Sequence, residues 1–136
     1  MVNNRKSNEE FRAEFELRTK EFAAAVFRLL DSLPHAVSTK VISYQLGKSA
    51  SSIGANYREA NRAESLDDFV HKISIVTKEA NETVYWCEVL HEIYPELEVL
   101  DEITVESQNF CTCSRRFAHR EKKKTISDGG QSTHNH

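Results

Sequence analysis

The sequence is short of the residues that interrupt regular structure and of those that cross-link small folds. Its 136 residues include only four glycines, two prolines and three cysteines. So few turn-forming residues exclude collagen-like and linker-like chains and leave little room for many short strands. Three cysteines, an odd number without framework spacing, do not predict a disulfide scaffold. The expected organisation is therefore one domain built from long helices.

Long hydrophobic runs are also missing. No segment approaches the ~20 apolar residues of a membrane span, and the N-terminus is polar and charged, unlike a signal peptide. These features predict a cytoplasmic protein with reduced thiols. Apolar residues make up 39% of the chain, below the ~45–50% that is usual for globular proteins. This shortfall predicts a modest core together with long helices, an exposed tail, or both.

The charge is unevenly distributed, although the formal net charge is only −3. Residues 1–87 hold equal numbers of acids and bases. Residues 88–106 carry seven carboxylates and no lysine or arginine, whereas residues 107–136 carry six bases and two acids. The net charge does not indicate a general nucleic-acid binder. Only the C-terminal segment has the character of one.

Apolar residues recur at helical spacing in four segments, over 11–33, 37–60, 66–94 and 97–117. The connections between these segments are short. Short connections predict an all-α fold, an antiparallel up-and-down four-helix bundle. The predicted organisation is a frayed N-terminus, a four-helix bundle and a disordered tail, over residues 1–8, 9–125 and 126–136.

The second segment combines an apolar stripe with a group of small residues. Val37, Val41 and Tyr44 (or Gln45) are expected to begin its buried face, which continues through Ala50, Ile53, Tyr57 and Ala60. Small residues crowd between positions 47 and 55. They indicate either a close approach between helices, which could cross a subunit interface, or a small-residue layer of the core.

Five short motifs together carry a family resemblance: SSIGANYREA at 51–60, AES at 63–65, DFVHKI at 68–73, KEANET at 78–83 and YW at 85–86. The combined pattern resembles the bacterial four helix bundle protein family. That family includes proteins encoded by intervening sequences within large-subunit ribosomal RNA genes, some of them labelled ribosomal proteins. The motifs span about a third of the chain.

The resemblance implies a cytoplasmic four-helix bundle that assembles into a ring-like homo-oligomer, a homopentamer. It also implies a distant similarity to the accessory protein of diversity-generating retroelements, a basic pentamer that works with a reverse transcriptase and nucleic acid. The family has no established enzymatic activity. Because this chain is acidic overall, the broad nucleic-acid binding of that distant relative is not carried over.

A polar cluster is predicted at the junction of the second and third helices. Asn56 and Glu59 lie three residues apart and share a helical face. Arg58, Arg62 and Glu64 extend the cluster. Structural hydrogen bonds and ion pairs that tie the connection are favoured over a patch that binds a ligand or partner.

The third helix holds further candidates. Glu79 and Glu82 are expected to pair with bases on a neighbouring helix or subunit. Trp86, beside Tyr85, is expected to pack at a bundle or subunit surface rather than to stack on a nucleobase.

Metal and catalytic chemistry find little support in the sequence. Glu88 and His91 form a Glu-x-x-His pair and Asp68 precedes His71 at the same spacing, but both pairs lie on one helix, roughly 30 Å apart, and cannot share a di-iron site. On a helix the thiols of a Cys-x-Cys motif, here at 111–113, point about 200° apart and chelate poorly. No nucleophile–base pattern or phosphate loop is present. We therefore predict no catalytic residue, metal site or cofactor, and no enzymatic activity.

The C-terminal bases are the main functional signal. They fit either a solvated helix C-terminus that the macrodipole favours or a surface that contacts phosphates. The second interpretation predicts a non-enzymatic, oligomeric scaffold or adaptor that associates with RNA or an RNA–protein complex. The alternative function is a protein–protein interaction module that uses the acidic residues 88–106 and touches no nucleic acid. The predicted phosphate contacts are Arg115, Arg116, Arg120, Lys122, Lys123 and Lys124.

Overall fold

The structure, a computed structural model, describes residues 6–131, with the side chains at 125 and 129–131 left out. Every regular element in this range is an α-helix, and no strand occurs in it. The sequence predicted all four helices in this order. The helices are α1 (Asn8–Asp31), α2 (Val37–Asn61), α3 (Leu66–Ile93) and α4 (Val99–Gln131).

Side-chain hydroxyls fix where three of the helices begin. Ser7 caps α1, and the Oγ atom of Ser65 accepts a hydrogen bond from the backbone N–H of Asp68 at 3.1 Å at the start of α3. At the start of α2, the backbone N–H of Ala36 donates to Oγ1 of Thr39 at 2.9 Å. Each bond satisfies a backbone N–H that has no partner within its helix.

Paired contacts between α2 and α3 show that these two helices run antiparallel. Oγ1 of Thr83 donates to Oγ of Ser49 at 2.9 Å, and Nζ of Lys72 lies 2.9 Å from Oε2 of Glu59. Positions that rise along α2 therefore meet positions that fall along α3. Each helix packs on the next, and α1 also contacts α4, which closes the bundle.

Aromatic rings hold α1 against α4. The ring of Phe15 lies 5.6 Å from that of Phe110 and 5.4 Å from that of Phe117, both edge to face. Beside them Arg18 donates hydrogen bonds to the Glu106 carboxylate, and its guanidinium lies 5.2 Å from the centre of the Phe110 ring. These contacts bring the N-terminal half of α1 next to the middle of α4.

The first two turns of α2 bury a different face from the predicted one. Val37 is 85% exposed, and Val41 and Tyr44 are also exposed, whereas Ile42 and Leu46 are buried. A helix turns about 100° per residue, so Val37 lies opposite Leu46. The prediction extended the buried face of the later turns back through Val41 and Val37. It therefore placed both valines on the core side.

The small residues of α2 serve a close approach between two helices of the same chain. A Cβ atom at Gly54 would lie 2.8 Å from Oγ1 of Thr19, and one at Gly47 would lie 2.9 Å from a ring carbon of Phe27. Both neighbours belong to α1. The stripe therefore lets α1 and α2 pack tightly, and Ser49 and Ala50 beside it are buried in the core.

The ends of the chain are described only in part. α4 is helical through Gln131, which includes the first residues of the segment predicted as a disordered tail. The remaining tail residues, 132–136, and the first five residues of the predicted frayed N-terminus lie outside the described residues. In the described part of the chain, no helix is long and apolar enough to cross a membrane.

Candidate functional site

The C-terminal bases lie at one end of the bundle, which we call the basic end. It is formed by the start of α1, the α2–α3 connection and the C-terminal part of α4. All six predicted bases are exposed. Helical spacing divides them into two strips. Arg115 and Lys122 share one strip, and the other holds Arg116, Arg120, Lys123 and Lys124.

The acidic segment lies at the opposite end, around the α3–α4 connection. Six of its seven carboxylates are exposed. The seventh, Glu106, is half-buried and accepts hydrogen bonds from Arg18. The acidic segment and the C-terminal bases therefore lie at opposite ends of the molecule, although the start of α1 and the α2–α3 connection also bring the exposed carboxylates of Glu9, Glu10 and Glu64 to the basic end.

A small pocket opens at the basic end, and we call it the terminal pocket. Its volume is about 90 Å³. Each helix contributes one aromatic ring to its lining, and the other lining residues are polar or charged. The rings belong to Phe11, Tyr57, Phe69 and Phe117, and the remaining residues are Asn8, Arg12, Asn61, Arg120, Glu121 and Lys124.

The rings of the terminal pocket contact one another at different angles. Phe11 and Phe117 meet edge to face with their centres 5.8 Å apart, and Tyr57 lies 6.1 Å from Phe117 at a tilt of 36°. Tyr57 is buried, whereas the Phe11 side is open and Phe11 is 45% exposed. The lining therefore has a buried floor and one exposed ring.

Two polar groups at the floor of the pocket are unusual. The Nδ2 atom of Asn61 is buried and has no hydrogen-bond partner among the described residues. Burial raises the pKa of the Tyr57 phenol, while the nearby Asn61 amide and the charge of Arg12 oppose this rise. Buried polar atoms normally have partners. The Asn61 side chain interacts with the Tyr57 phenol without regular hydrogen-bond geometry, so an acceptor that enters the pocket can compete for its Nδ2 atom.

Sequence reasoning missed part of this pocket. Phe11 and Phe69 belong to the apolar segments 11–33 and 66–94, but neither was predicted at a site. Arg12 and Asn61 carried no signal in the sequence. Because α1 and α4 run antiparallel, the start of α1 had to meet the C-terminal part of α4. That topology was the one signal that could have placed Arg12 beside Arg120.

The predicted polar cluster at the α2–α3 junction is engaged in contacts within the chain. Glu59 pairs with Lys72 at 2.9 Å, and Nη1 of Arg62 lies 3.1 Å from Oε1 of Glu16 on α1. The Glu59 pairing raises the pKa of Lys72. Exposed pairs of this kind contribute little to the stability of a fold. They tie the junction to α1 and α3.

Asn56 stands apart from the rest of that cluster. Its Nδ2 atom donates to the backbone oxygen of Ser52 at 2.8 Å. The other predicted members line an open surface cavity of about 520 Å³ next to the basic end. That cavity is lined by Arg58, Glu59, Arg62, Glu64, Asp68 and Lys72.

The two predicted site residues of the third helix contact each other. Nε1 of Trp86 lies 3.4 Å from Oε1 of Glu82, and the Trp86 ring packs edge to face on Tyr85 at 5.1 Å. Trp86 is half-buried. Burial and the neighbouring Glu82 raise the pKa of Glu79, while Lys78 and Lys48 oppose the rise.

The cysteines occupy three different environments. Cys87 is buried, and burial raises the pKa of its thiol to about 11. Cys111 is buried and its Sγ atom donates to Oδ1 of Asn81 at 3.3 Å, whereas Cys113 is half-buried. Across residues 6–131, no three side chains of His, Cys, Asp or Glu converge in a way that could hold a metal ion.

Fold and site together define an all-α four-helix bundle with a basic end. The sequence profile described as 23S rRNA-intervening sequence protein matches residues 4–113, and the chain belongs to this family. This confirms the predicted family. The match ends before the first of the six C-terminal bases. The basic segment is therefore a feature of this chain that the family match does not cover.

One similar solved structure comes from Bacteroides thetaiotaomicron and is described as a protein with unknown function from the S23 ribosomal protein family. It is 31% identical to this chain, with a TM-score of 0.67. The similarity covers 76% of this chain and 96% of that chain. No curated protein matches the sequence.

Proposed function

We propose that this protein is a non-enzymatic, oligomeric helical adaptor of the cytoplasm that associates with RNA through its basic end. The observation that carries the proposal is the strip formed by Arg116, Arg120, Lys123 and Lys124 on exposed α4. Among the described residues, Lys124 alone of these four pairs with a carboxylate, that of Glu121 at 3.3 Å. The other three charges are directed to solvent, where phosphates can reach them.

The strength of such binding depends on assembly. Phosphate contacts from lysine and arginine supply an affinity that falls steeply with salt. A few contacts from one monomer give weak binding, whereas several linked copies raise the avidity by orders of magnitude. The proposal therefore joins RNA binding to a homo-oligomer, for which the resemblance predicts a ring of five.

The face of α2 that points away from the core supports assembly. Val37, Val41 and Tyr44 lie three and four residues apart and are exposed, so they form one apolar strip. The antiparallel register of α2 and α3 places this strip level with Tyr85 and Ile93, which are exposed as well. Contiguous exposed apolar surface is typical of interaction sites. A second copy of this chain is the occupant that we propose.

Fluorescence anisotropy with a labelled, structured RNA tests the RNA association. We expect wild-type binding to weaken steeply between about 50 mM and about 200 mM salt. Replacing the six C-terminal bases with glutamine should abolish it. The matched control makes the same replacement at six exposed bases elsewhere, which should leave most of the binding intact. Those control bases are Lys20, Arg28, Lys40, Lys48, Arg58 and Lys78.

Two results would overturn this proposal. Wild-type protein that fails to bind RNA even at low salt would exclude it. Equal losses in the C-terminal and control variants would show that the binding follows total charge and not the basic end. In either case the acidic end becomes the favoured functional surface, because its six exposed carboxylates suit a basic protein partner.

A further inference from the structure

The terminal pocket holds chemistry that helix packing does not require. Rings from all four helices converge there, and Asn61 Nδ2 is buried without a hydrogen-bond partner among the described residues. A buried donor left without an acceptor destabilises the fold. A ligand with an acceptor atom would remove that penalty. The pocket therefore has the features of a binding site and not only of a packing defect.

The size of the pocket limits what can enter. A volume of about 90 Å³ equals about three water molecules, and an enclosed cavity of about 150 Å³ holds one benzene ring. The terminal pocket can therefore admit one edge of a single aromatic ring, but no larger group. Phe11, 45% exposed, offers ring surface at the open side. Aromatic side chains of this kind stack nucleobases with little dependence on sequence.

The charges around the pocket select an anionic ligand. Arg12, Arg120 and Lys124 line it together with one carboxylate, Glu121, which pairs with Lys124. Neither arginine has a salt-bridge partner within residues 6–131. Cations beside aromatic rings match a planar base that carries a phosphate. Bases inside a duplex are stacked and paired, so their rings cannot enter.

The geometry points to a binding site for one unpaired nucleobase and its phosphate in the terminal pocket. The base packs against Phe11 and accepts a hydrogen bond from Asn61 Nδ2, while Arg12 and Arg120 contact the phosphate. This inference rests on the proposed function where the nucleotide belongs to an RNA strand. A free mononucleotide has the same chemistry and is the second source that the experiment must separate.

Matched leucine variants test the inference. Phe11→Leu keeps an apolar side chain and removes the ring, and Phe27→Leu is its control on the same helix, 46% exposed and near the other end. Anisotropy is measured with a labelled single-stranded uridine dodecamer and with an RNA duplex of equal length. Phe11→Leu should weaken single-strand binding about fivefold or more, the loss of one base stack, and leave duplex binding unchanged. Phe27→Leu should change neither.

A second variant keeps the test informative if Phe11→Leu is poorly folded. Asn61→Leu removes the unpartnered amide and should weaken single-strand binding in the same selective way. Thermal unfolding followed by circular dichroism shows which variants retain the fold. Unchanged single-strand affinity in both folded variants would overturn the pocket inference, while steep salt dependence in the wild type would leave the proposed function standing.

Calorimetry with adenosine monophosphate separates the two sources of the nucleotide. If wild-type protein binds no RNA, the proposed function fails, but mononucleotide binding that Phe11→Leu and Asn61→Leu both weaken would still support the pocket. Absence of binding to both the single strand and the mononucleotide would overturn it.

Discussion

At the scale of single residues, two glycines of α2 occupy sites that look alike in sequence and differ in their neighbours. Gly54 faces Thr19, which is fully buried and whose Oγ1 donates to the backbone oxygen of Glu16 at 2.9 Å. Gly47 faces the ring of Phe27, which is 46% exposed. Thr19 is fixed on all sides, whereas the Phe27 ring can turn outward into solvent.

Gly54→Ala should therefore lower the free energy of unfolding. Overpacking costs about 1–3 kcal/mol, and the better helix propensity of alanine offsets up to about 1 kcal/mol of it. Gly47→Ala, the matched control, should leave the stability unchanged or raise it by up to about 1 kcal/mol. Urea unfolding of the three proteins measures both effects. Equal shifts in the two variants would contradict the assignment of Thr19 as the rigid neighbour.

Cys87 gives a prediction for alkaline pH. Burial raises the pKa of its thiol from 9.0 to about 11, and a hydrogen bond with Thr104 only partly opposes this rise. Between these two values the unfolded chain loses the proton and the folded chain keeps it. The stabilisation is therefore present below about pH 9 and is lost as the pH rises toward about 11, by at most about 1.4 kcal/mol per pH unit.

Denaturant unfolding across this pH range checks the Cys87 prediction. The free energy of unfolding of Cys87→Ala should fall less steeply with pH than that of the wild type. Burial also raises the pKa of Tyr57, so the difference between the two slopes, and not either slope alone, reports on Cys87. Parallel curves would contradict the prediction.

At the scale of helices, the sequence predicted the helix boundaries where a helix-breaking or helix-capping residue coincides with an interruption of the apolar spacing. Pro34 and Ser65 mark interruptions that the structure places between helices, and α3, without glycine or proline, runs unbroken to Ile93. Pro95 lies in the turn before α4, which begins at Val99. Local chemistry sets these boundaries, so they could be predicted from a single sequence.

The start of α2 shows where the prediction from the sequence failed. Val37 and Val41 are as apolar as Ile42 and Leu46, so periodicity alone allowed either face. The loop between α1 and α2 favours the observed face, since Thr39 is buried and bonds with the backbone of Pro34 and Ala36. Such bonds depend on the path of the preceding loop. They have no counterpart in the spacing of apolar residues.

At the scale of the whole molecule, the uneven charge along the chain places the acidic segment and the C-terminal bases at opposite ends of the bundle. This follows from α4, which begins with acids at the α3–α4 connection and carries its bases, all between 115 and 124, beside the start of α1, although its last turn holds none. The sequence predicted the six bases, and their division into two strips follows from helical spacing, but it could not predict that Arg12 would join them. That feature requires the antiparallel contact of two helices about 100 residues apart.

Two exposed valines provide a test of assembly. Val41, 51% exposed, belongs to the apolar strip of α2, whereas Val105, 54% exposed, shares an open surface cavity with Asp101, Glu102 and Glu106. A self-complementary interface needs apolar surface with little charge at its centre. Val41 meets this condition and Val105 does not, although the two side chains are equally accessible.

We therefore expect Val41→Glu to dissociate the assembly and Val105→Glu to leave it intact. Light scattering coupled to size-exclusion chromatography measures the mass, which should be a multiple of 15.6 kDa for the wild type and for Val105→Glu. Val41→Glu should give the monomer mass with unchanged helical circular dichroism, because Val41 is outside the core. A wild-type protein that is already monomeric would remove the oligomer from the proposed function. It would also leave RNA binding to the six C-terminal bases of a single molecule, with low affinity and a strong dependence on salt.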